Sequence, residues 1–196
     1  MNSGELKRAK RRIREAVLAA RDAMDPVDRE RASASIAERV LDLPEVDRAG
    51  TVMAFWSFGS EVDTAPLIAG LHARGVGMVL PRIVGGDMEP VAYVPGDPVR
   101  ATSFGACEPA GSTTLDPTAI DVVVTPAVAF DRSGRRVGYG GGFYDRFFHR
   151  TGPETVRVGI GFETQVTSGD LPSGHFDLGL DVLVTEARVA RFPRSS

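Results

Sequence analysis

One cysteine among 196 residues removes several explanations at once. Cys107 has no partner for an internal disulfide and cannot build a cysteine zinc site, which fits a reducing compartment. Long apolar runs are also missing. The longest, Val122–Val124 and Ala127–Phe130 on either side of Pro126, fall far short of the roughly 20 residues that cross a bilayer. The basic N-terminus has no apolar stretch behind it, so no secretory signal is visible and the expected location is the cytoplasm. Neither sign of charge dominates: 23 Lys and Arg against 26 Asp and Glu give a formal net charge of -3, so no protein-wide basic field points to nucleic acid. No nucleic acid, membrane or obligate protein partner is expected, and any basic site must be local. What is present is an ordinary globular composition, 42% hydrophobic and 25% charged. It predicts one domain over residues 1–196, burying about 70% of its unfolded surface.

Apolar residues at Leu6, Ala9, Ile13, Ala16, Val17, Ala20 and Met24 recur at helical spacing and predict an amphipathic helix over 6–23. Along the edge of its apolar stripe, Lys10, Arg14 and Arg21 fall within about 40° of one another. Asp25 before Pro26 predicts a cap and a first-turn proline for a second helix ending near Leu41. Strands are expected at Thr51–Trp56, Val76–Leu80, Met88–Val94, Asp121–Thr125, Val156–Phe162 and Asp181–Thr185. A helix is expected from the Asp63-Thr64 cap to about Arg74, closed by Gly75. Residues 95–116, rich in Gly, Pro, Ser and Thr, read as loop. Strands alternating with helices predict an α/β fold, a three-layer sandwich with a mostly parallel sheet and helices on both faces.

The densest chemical signal is Gly138-Tyr139-Gly140-Gly141-Gly142-Phe143-Tyr144-Asp145, ahead of an aromatic stretch that reads as helical. Glycines let a backbone turn inward and bring N–H groups close to an anion, and a following helix adds its positive end. Taken alone the cluster reads equally well as a surface turn. It is neither a Walker A loop, lacking Lys followed by Ser or Thr, nor a dinucleotide fingerprint, whose spacing differs.

The loop has company. Pro126-Ala127-Val128-Ala129-Phe130-Asp131 followed by Gly134 to Arg146 resembles the signature of the 5-formyltetrahydrofolate cyclo-ligases, also called methenyltetrahydrofolate synthetases. Further matches are Lys10-x-x-Ile13-Arg14, the segment Trp56 to Thr64, Leu80-Pro81-Arg82, Glu108-Pro109, and the tail from Leu171-Pro172 through Asp177 to Asp181. The resemblance runs from about residue 7 to 185 in the family's order. It implies a similar α/β fold and an ATP- and Mg²⁺-dependent closure of 5-formyltetrahydrofolate to 5,10-methenyltetrahydrofolate, releasing ADP and phosphate through a phosphorylated formyl group. Such chemistry asks for positioning and charge neutralisation more than for acid and base groups.

Carried over position by position, the resemblance implies ATP contacts at Lys10 and Arg14, one turn apart on their helix. It extends them along Arg136, Val137, Gly138, Tyr139, Gly140, Gly141, Gly142, Phe143 and Tyr144. Arg136 is the implied phosphate clamp and the glycine N–H groups the cradle, with Arg135 read as solvated. Asp145 and Asp181 match magnesium ligands; two carboxylates suffice when phosphate and water complete the octahedron. Trp56 and Glu61 fall at substrate positions, where an aromatic can stack on a flat ring and a carboxylate can accept from pterin N–H groups. Tyr139 to Phe143 are expected to touch folate as well.

Departures are few. Phe143 stands where many relatives carry Tyr, and Tyr139 and Gly141 occupy places that are basic in some, which leaves fewer loop cations. His175 is displaced by one position and receives no role; Arg82 and Glu108 match without an evident role; His72 and His149 read as solvent-facing. Lys7, Arg8, Arg11 and Arg12 read as a solvated face. Two other classes compete with this reading: a non-catalytic folate-binding or sensor protein, disfavoured by intact Lys10, Arg14, Asp145 and Asp181, and a sugar-phosphate or acyl-transfer enzyme needing no ATP.

Overall fold

The computed structural model describes residues 2–102 and 105–194. Eleven strands and five α-helices are assigned among them, and seven strands form the central sheet. Its parallel part is β1 (Thr51–Met53), β2 (Gly77–Val84), β6 (Val122–Pro126), β9 (Val156–Ile160) and β10 (Val182–Val184). Antiparallel β3 (Asp87–Ala92) and β11 (Val189–Arg191) close the two edges, giving the order β11-β10-β9-β6-β1-β2-β3. Two short hairpins stand apart, β4 (Val99–Ala101) with β5 (Cys107–Pro109), and β7 (Ala129–Phe130) with β8 (Arg136–Val137). The first of these lies inside the stretch read as loop over 95–116, of which residues 103 and 104 fall outside the described residues.

Alternation along each strand decides which layer it feeds. Val52, Leu80, Val122, Val124, Val158, Val182 and Val184 point to a core shared with α2 (Pro26–Leu41) and α4 (Ala65–Ala73), through Ile36, Val40, Leu67 and Leu71. Met53, Val79 and Val123 point the other way, against Phe147 and Phe148 of α5 (Phe143–Phe148). Helices therefore cover both faces of a mostly parallel sheet, as the sequence predicts. Each fully buried aliphatic or aromatic side chain contributes about 1.5–3 kcal/mol.

The first helix, α1 (Ser3–Asp22), does not lie on a face. Its Ile13 and Val17 pack on Ala129, Val137 and Leu171, and it touches β7 and the short turn Glu163–Gln165. Those elements follow the carboxyl ends of β6 and β9, so α1 crosses the end of the sheet where ligand sites of open α/β folds lie. Asn2 and Glu5 cap it reciprocally.

Two expected strands have other limits. Strand β1 ends at Met53, and the chain leaves the sheet at once to build the loop carrying Trp56 and Glu61. Strand β2 runs past Pro81 to Val84, where Gly85 and Gly86, at φ 60° and 90°, turn it into β3.

Candidate active site

The loop after β1 is fastened from within. Buried Thr64 donates to the Phe55 carbonyl at 2.6 Å and accepts from the Ser57 N–H at 3.1 Å. Its backbone caps α4 while Asp63, not Thr64, accepts the Ala65 N–H. This clamp presents Glu61, 6% exposed, with Oε2 accepting from the Phe58 N–H at 3.1 Å and Oε1 from the Tyr139 hydroxyl at 2.9 Å. Burial pushes the Glu61 carboxyl above the usual range, opposed by the Phe58 N–H, the Tyr139 hydroxyl and the Arg21 charge. The same burial and the Glu61 charge push the Tyr139 phenol up to about 12, so it remains a hydrogen-bond donor at neutral pH. Trp56 stands edge-on to Tyr93, ring centres 6.0 Å apart, and among the described residues its buried indole N–H has no acceptor.

The glycine loop follows β8. Gly140 and Gly142 sit at φ 113° and 65°, conformations that side chains rarely adopt. Arg14 Nε donates to the Gly138 carbonyl at 2.6 Å and Arg146 Nη1 to the Gly141 carbonyl at 2.9 Å. Among the described residues, no backbone N–H from Gly138 to Gly142 donates within the protein. With carbonyls held and amides free, the loop is an anion cradle. The helix dipole expected to assist it is weak, because α5 is only 6 residues long. Burial lowers the Arg14 pKa from its ordinary value.

Structure and sequence agree on Lys10 and Arg14 pointing together toward this end of the molecule, and on Lys7, Arg8, Arg11 and Arg12 facing solvent. The Lys10 ammonium pairs with Asp177, which also accepts from the Gly174 N–H at 2.7 Å. Burial acts to raise the Asp177 carboxyl, yet the Gly174 N–H, Lys10 and the Arg136 charge outweigh it and hold it below the usual range.

Two expected site residues are held by protein partners. Arg136, implied as the phosphate clamp, is 8% exposed and donates from Nη1 to Asp145 Oδ1 at 2.8 Å and to the Leu178 carbonyl at 3.0 Å, with its guanidinium 5.0 Å from the Phe148 ring centre. It anchors the loop from beneath. Asp181, implied as a magnesium ligand, is bonded to two arginines instead of standing beside Asp145. Its Oδ2 accepts from the Arg157 N–H at 2.8 Å and Nε at 3.1 Å, and its Oδ1 meets Arg157 Nη2 at 3.0 Å and Arg194 Nε at 3.2 Å. Two guanidiniums already occupy and neutralise it, and it precedes β10, at the end of the sheet opposite the β1 loop. Asp145 spends Oδ1 on Arg136 and the Leu178 N–H, leaving Oδ2 as the oxygen open to an ion. No group of three or more His, Cys, Asp or Glu is arranged for a metal among the described residues.

Arg21, Arg146 and Phe58 were not singled out by sequence for the site. Arg21 bridges Ser60 and Tyr139, Arg146 holds a loop carbonyl, and Phe58 stacks on Tyr139 with ring centres 5.3 Å apart. The available signal was the shared edge of α1 on which Arg21 follows Lys10 and Arg14. Arg82 bonds Glu89 and the Gly111 carbonyl, and Glu108 accepts from the Ile83 N–H; both brace the β2–β3 hairpin. A cavity of about 390 Å³ lies at the amino end of the parallel strands beside Glu45, Asp121 and Thr155 and gathers none of these groups. No helix is long and apolar enough to cross a membrane among the described residues.

Comparison with known proteins bears on the fold and the family. The model of the 5-formyltetrahydrofolate cyclo-ligase family matches residues 6–186. The 5-formyltetrahydrofolate cyclo-ligase of Escherichia coli K12 is 33% identical over 175 residues, covering 86% of this chain and 96% of its own. That of Haemophilus influenzae is 30% identical over 187 residues, covering 89% and 97%. The solution structure of Aquifex aeolicus 5,10-methenyltetrahydrofolate synthetase superposes with a TM-score of 0.83 at 30% identity, covering 95% of this chain and 94% of that one. A cradle of free amides flanked by cations, met by a buried carboxylate on the neighbouring loop, sits on a fold and sequence of one kind: the chain belongs to the 5-formyltetrahydrofolate cyclo-ligase family.

Proposed function

We propose that this chain closes 5-formyltetrahydrofolate to 5,10-methenyltetrahydrofolate at the expense of ATP. The observation that carries the reading is the glycine loop: its free amides and Arg14 suit a polyphosphate, and Tyr139 in its middle bonds Glu61 on the folate side. The two halves of the site are thereby one hydrogen-bonded unit, as a reaction between two bound substrates requires.

The formyl oxygen attacks the γ-phosphorus, the bond from that phosphorus to the β-bridging oxygen breaks, and ADP departs. The formyl carbon, now joined to phosphate oxygen and to an iminium N5, is attacked by N10. N10 gives up its proton, the carbon–oxygen bond breaks, and inorganic phosphate leaves the methenyl cation. Lys10, Arg14 and the loop amides neutralise charge on the phosphoryl group as it transfers. Glu61 and Trp56 orient the ring system. Magnesium supplies charge neutralisation when it arrives with the nucleotide, and Asp145 Oδ2 is the protein oxygen available to it.

Near-UV absorbance of the methenyl product, followed with ATP present, omitted or replaced by a non-hydrolysable analogue, tests the reading. Product that needs ATP, with ADP and phosphate in equal amounts, is expected. Product without ATP, or none from folded protein, overturns it.

A further inference from the structure

Arg21 stands apart from the other cations of α1. It is 3% exposed, while Lys7, Arg8, Arg11 and Arg12 face solvent. Among the described residues it makes no ion pair: Nε donates to Ser60 Oγ at 3.0 Å and Nη2 to the Tyr139 hydroxyl at 2.9 Å, with the guanidinium 5.9 Å from the Tyr139 ring centre. A buried guanidinium bonded only to hydroxyls costs desolvation that no adjacent carboxylate offsets directly. Both hydroxyls, however, lead to carboxylates, Tyr139 to Glu61 and Ser60 to Asp22. The relay has a direction. The phenol has one proton, and because its oxygen accepts from Arg21, that proton goes to Glu61 Oε1. Glu61 Oε2 is held independently by the Phe58 N–H. Both oxygens are thus fixed, with lone pairs left over for a ligand.

We infer that Arg21, acting through Tyr139, is the positioning residue of the folate end of the site, aiming Glu61 at the N–H groups of the pterin ring and tying that aim to the glycine loop. This rests on the reading of Glu61 as a folate contact. Arg21 touches neither substrate; it works through the phenol. The groups facing Glu61 are Arg21 from α1, Tyr139 from the glycine loop, the Phe58 N–H of its own loop, and Tyr144 of α5, whose hydroxyl burial and then the Glu61 charge push upward. Burial favours the protonated carboxyl; Phe58, Tyr139 and Arg21 favour the carboxylate. Removing the phenol hydroxyl leaves burial less opposed, so Glu61 holds its proton to higher pH. A protonated Glu61 loses an acceptor for ring N–H groups, so folate binding weakens at neutral pH and returns as pH rises.

The test compares Tyr139→Phe, Arg21→Gln, Arg21→Lys and Glu61→Gln. Thermal melting checks that every variant is folded at the temperature of the assay. Binding of 5-formyltetrahydrofolate without ATP is read by quenching of Trp56, the chain's single tryptophan, from pH 6 to 9, alongside the KM values for folate and ATP. Tyr139→Phe and Arg21→Gln are expected to weaken folate about tenfold at pH 7 with ATP changed less than about threefold, and to move the binding profile toward higher pH. Arg21→Lys restores most of the loss, and Glu61→Gln weakens binding at every pH. A loss independent of pH, an equal loss for ATP, or wild-type folate affinity in Tyr139→Phe overturns the inference. Folate binding by wild type without turnover would defeat the ring-closing reaction instead, and the quenching profiles would still decide the role of Arg21.

Discussion

Asp181 separates what the sequence suggests from what the structure does, and replacing it tells the two apart. As a metal ligand, its loss would raise the magnesium concentration needed for activity and leave stability alone. As the structure has it, Asp181 fastens β9 to β10 and draws in the C-terminal segment, with Arg157 and Arg194 sharing its two oxygens. Removing one partner of a buried ion pair costs about 3–5 kcal/mol. Arg157 retains 20% and Arg194 39% side-chain exposure, so water takes over part of the bonding. The Arg194 contact is then worth no more than about 1 kcal/mol. Asp181→Ala is therefore expected to cost about 2–4 kcal/mol, which at about 2–4 °C per kcal/mol in a chain of this size lowers Tm by roughly 5–15 °C. Asp181→Asn keeps one acceptor oxygen and costs less. The assay is thermal melting with and without ATP and magnesium, beside turnover against magnesium concentration at a temperature where the variant is folded. A tenfold rise in half-saturating magnesium with an unchanged Tm would refute the ion-pair account.

Arg14→Ala removes a charge-assisted bond to the Gly138 carbonyl and a cation from the phosphate cradle; ATP KM is expected to rise by about one order of magnitude or more, with folate affinity nearly unchanged in quenching titrations. Asp145→Asn is expected to lower turnover strongly while the melting curve stays close to wild type, because the amide oxygen still accepts from Arg136; turnover near wild type would take Asp145 out of the reaction. Asp131 should carry acid sensitivity. Burial acts to raise its pKa, but bonds from the N–H groups of Leu171, Ser133 and Arg135 and from the Ser133 hydroxyl prevail and lower it. A carboxyl lowered in the folded state stabilises fully above its unfolded pKa of about 3.9, and that stabilisation is lost as pH falls through the folded value. Asp131→Asn should accordingly melt lower than wild type at pH 7 and converge with it in strong acid, a pattern that Tm against pH checks.

The layers of the fold were legible because short apolar runs at β1, β6, β9 and β10 alternate with helical segments, and the periodicity of α1 and the Asp25-Pro26 start of α2 agree with the observed helices. Pro81 hid the second half of β2, since proline in a strand ordinarily marks its end. In the folded chain Pro81 lies opposite Pro90, so neither strand misses an N–H the other has to offer. Hairpins of two or three residues, such as β4–β5, are too short for a period to register. In the site, the glycine cluster and the shared edge of Lys10, Arg14 and Arg21 could be read from type and spacing. The ion pairs of Arg136 and Asp181 could not, because the partner a charge meets depends on residues distant in sequence. For Asp181 those are Arg157 on the neighbouring strand and Arg194 near the chain's end. Arg21 was visible as one of a row, but nothing in a row of cations says which one the fold will bury.

That row has a mechanical meaning. Lys10, Arg14 and Arg21 stand on one rigid rod whose rise fixes their separations, with roughly 16 Å from first to last. The helix is a ruler laid across the carboxyl ends of the strands: its early marks meet Asp177 and the Gly138 carbonyl, and its last meets the relay to Glu61. Deleting a single residue between Arg14 and Arg21 would rotate the far mark by about 100° and slide it by about 1.5 Å, leaving the near ones where they are. The distance between the glycine loop and Glu61 is thus written in the number of residues in one helix, and length there counts for as much as the side chains it presents.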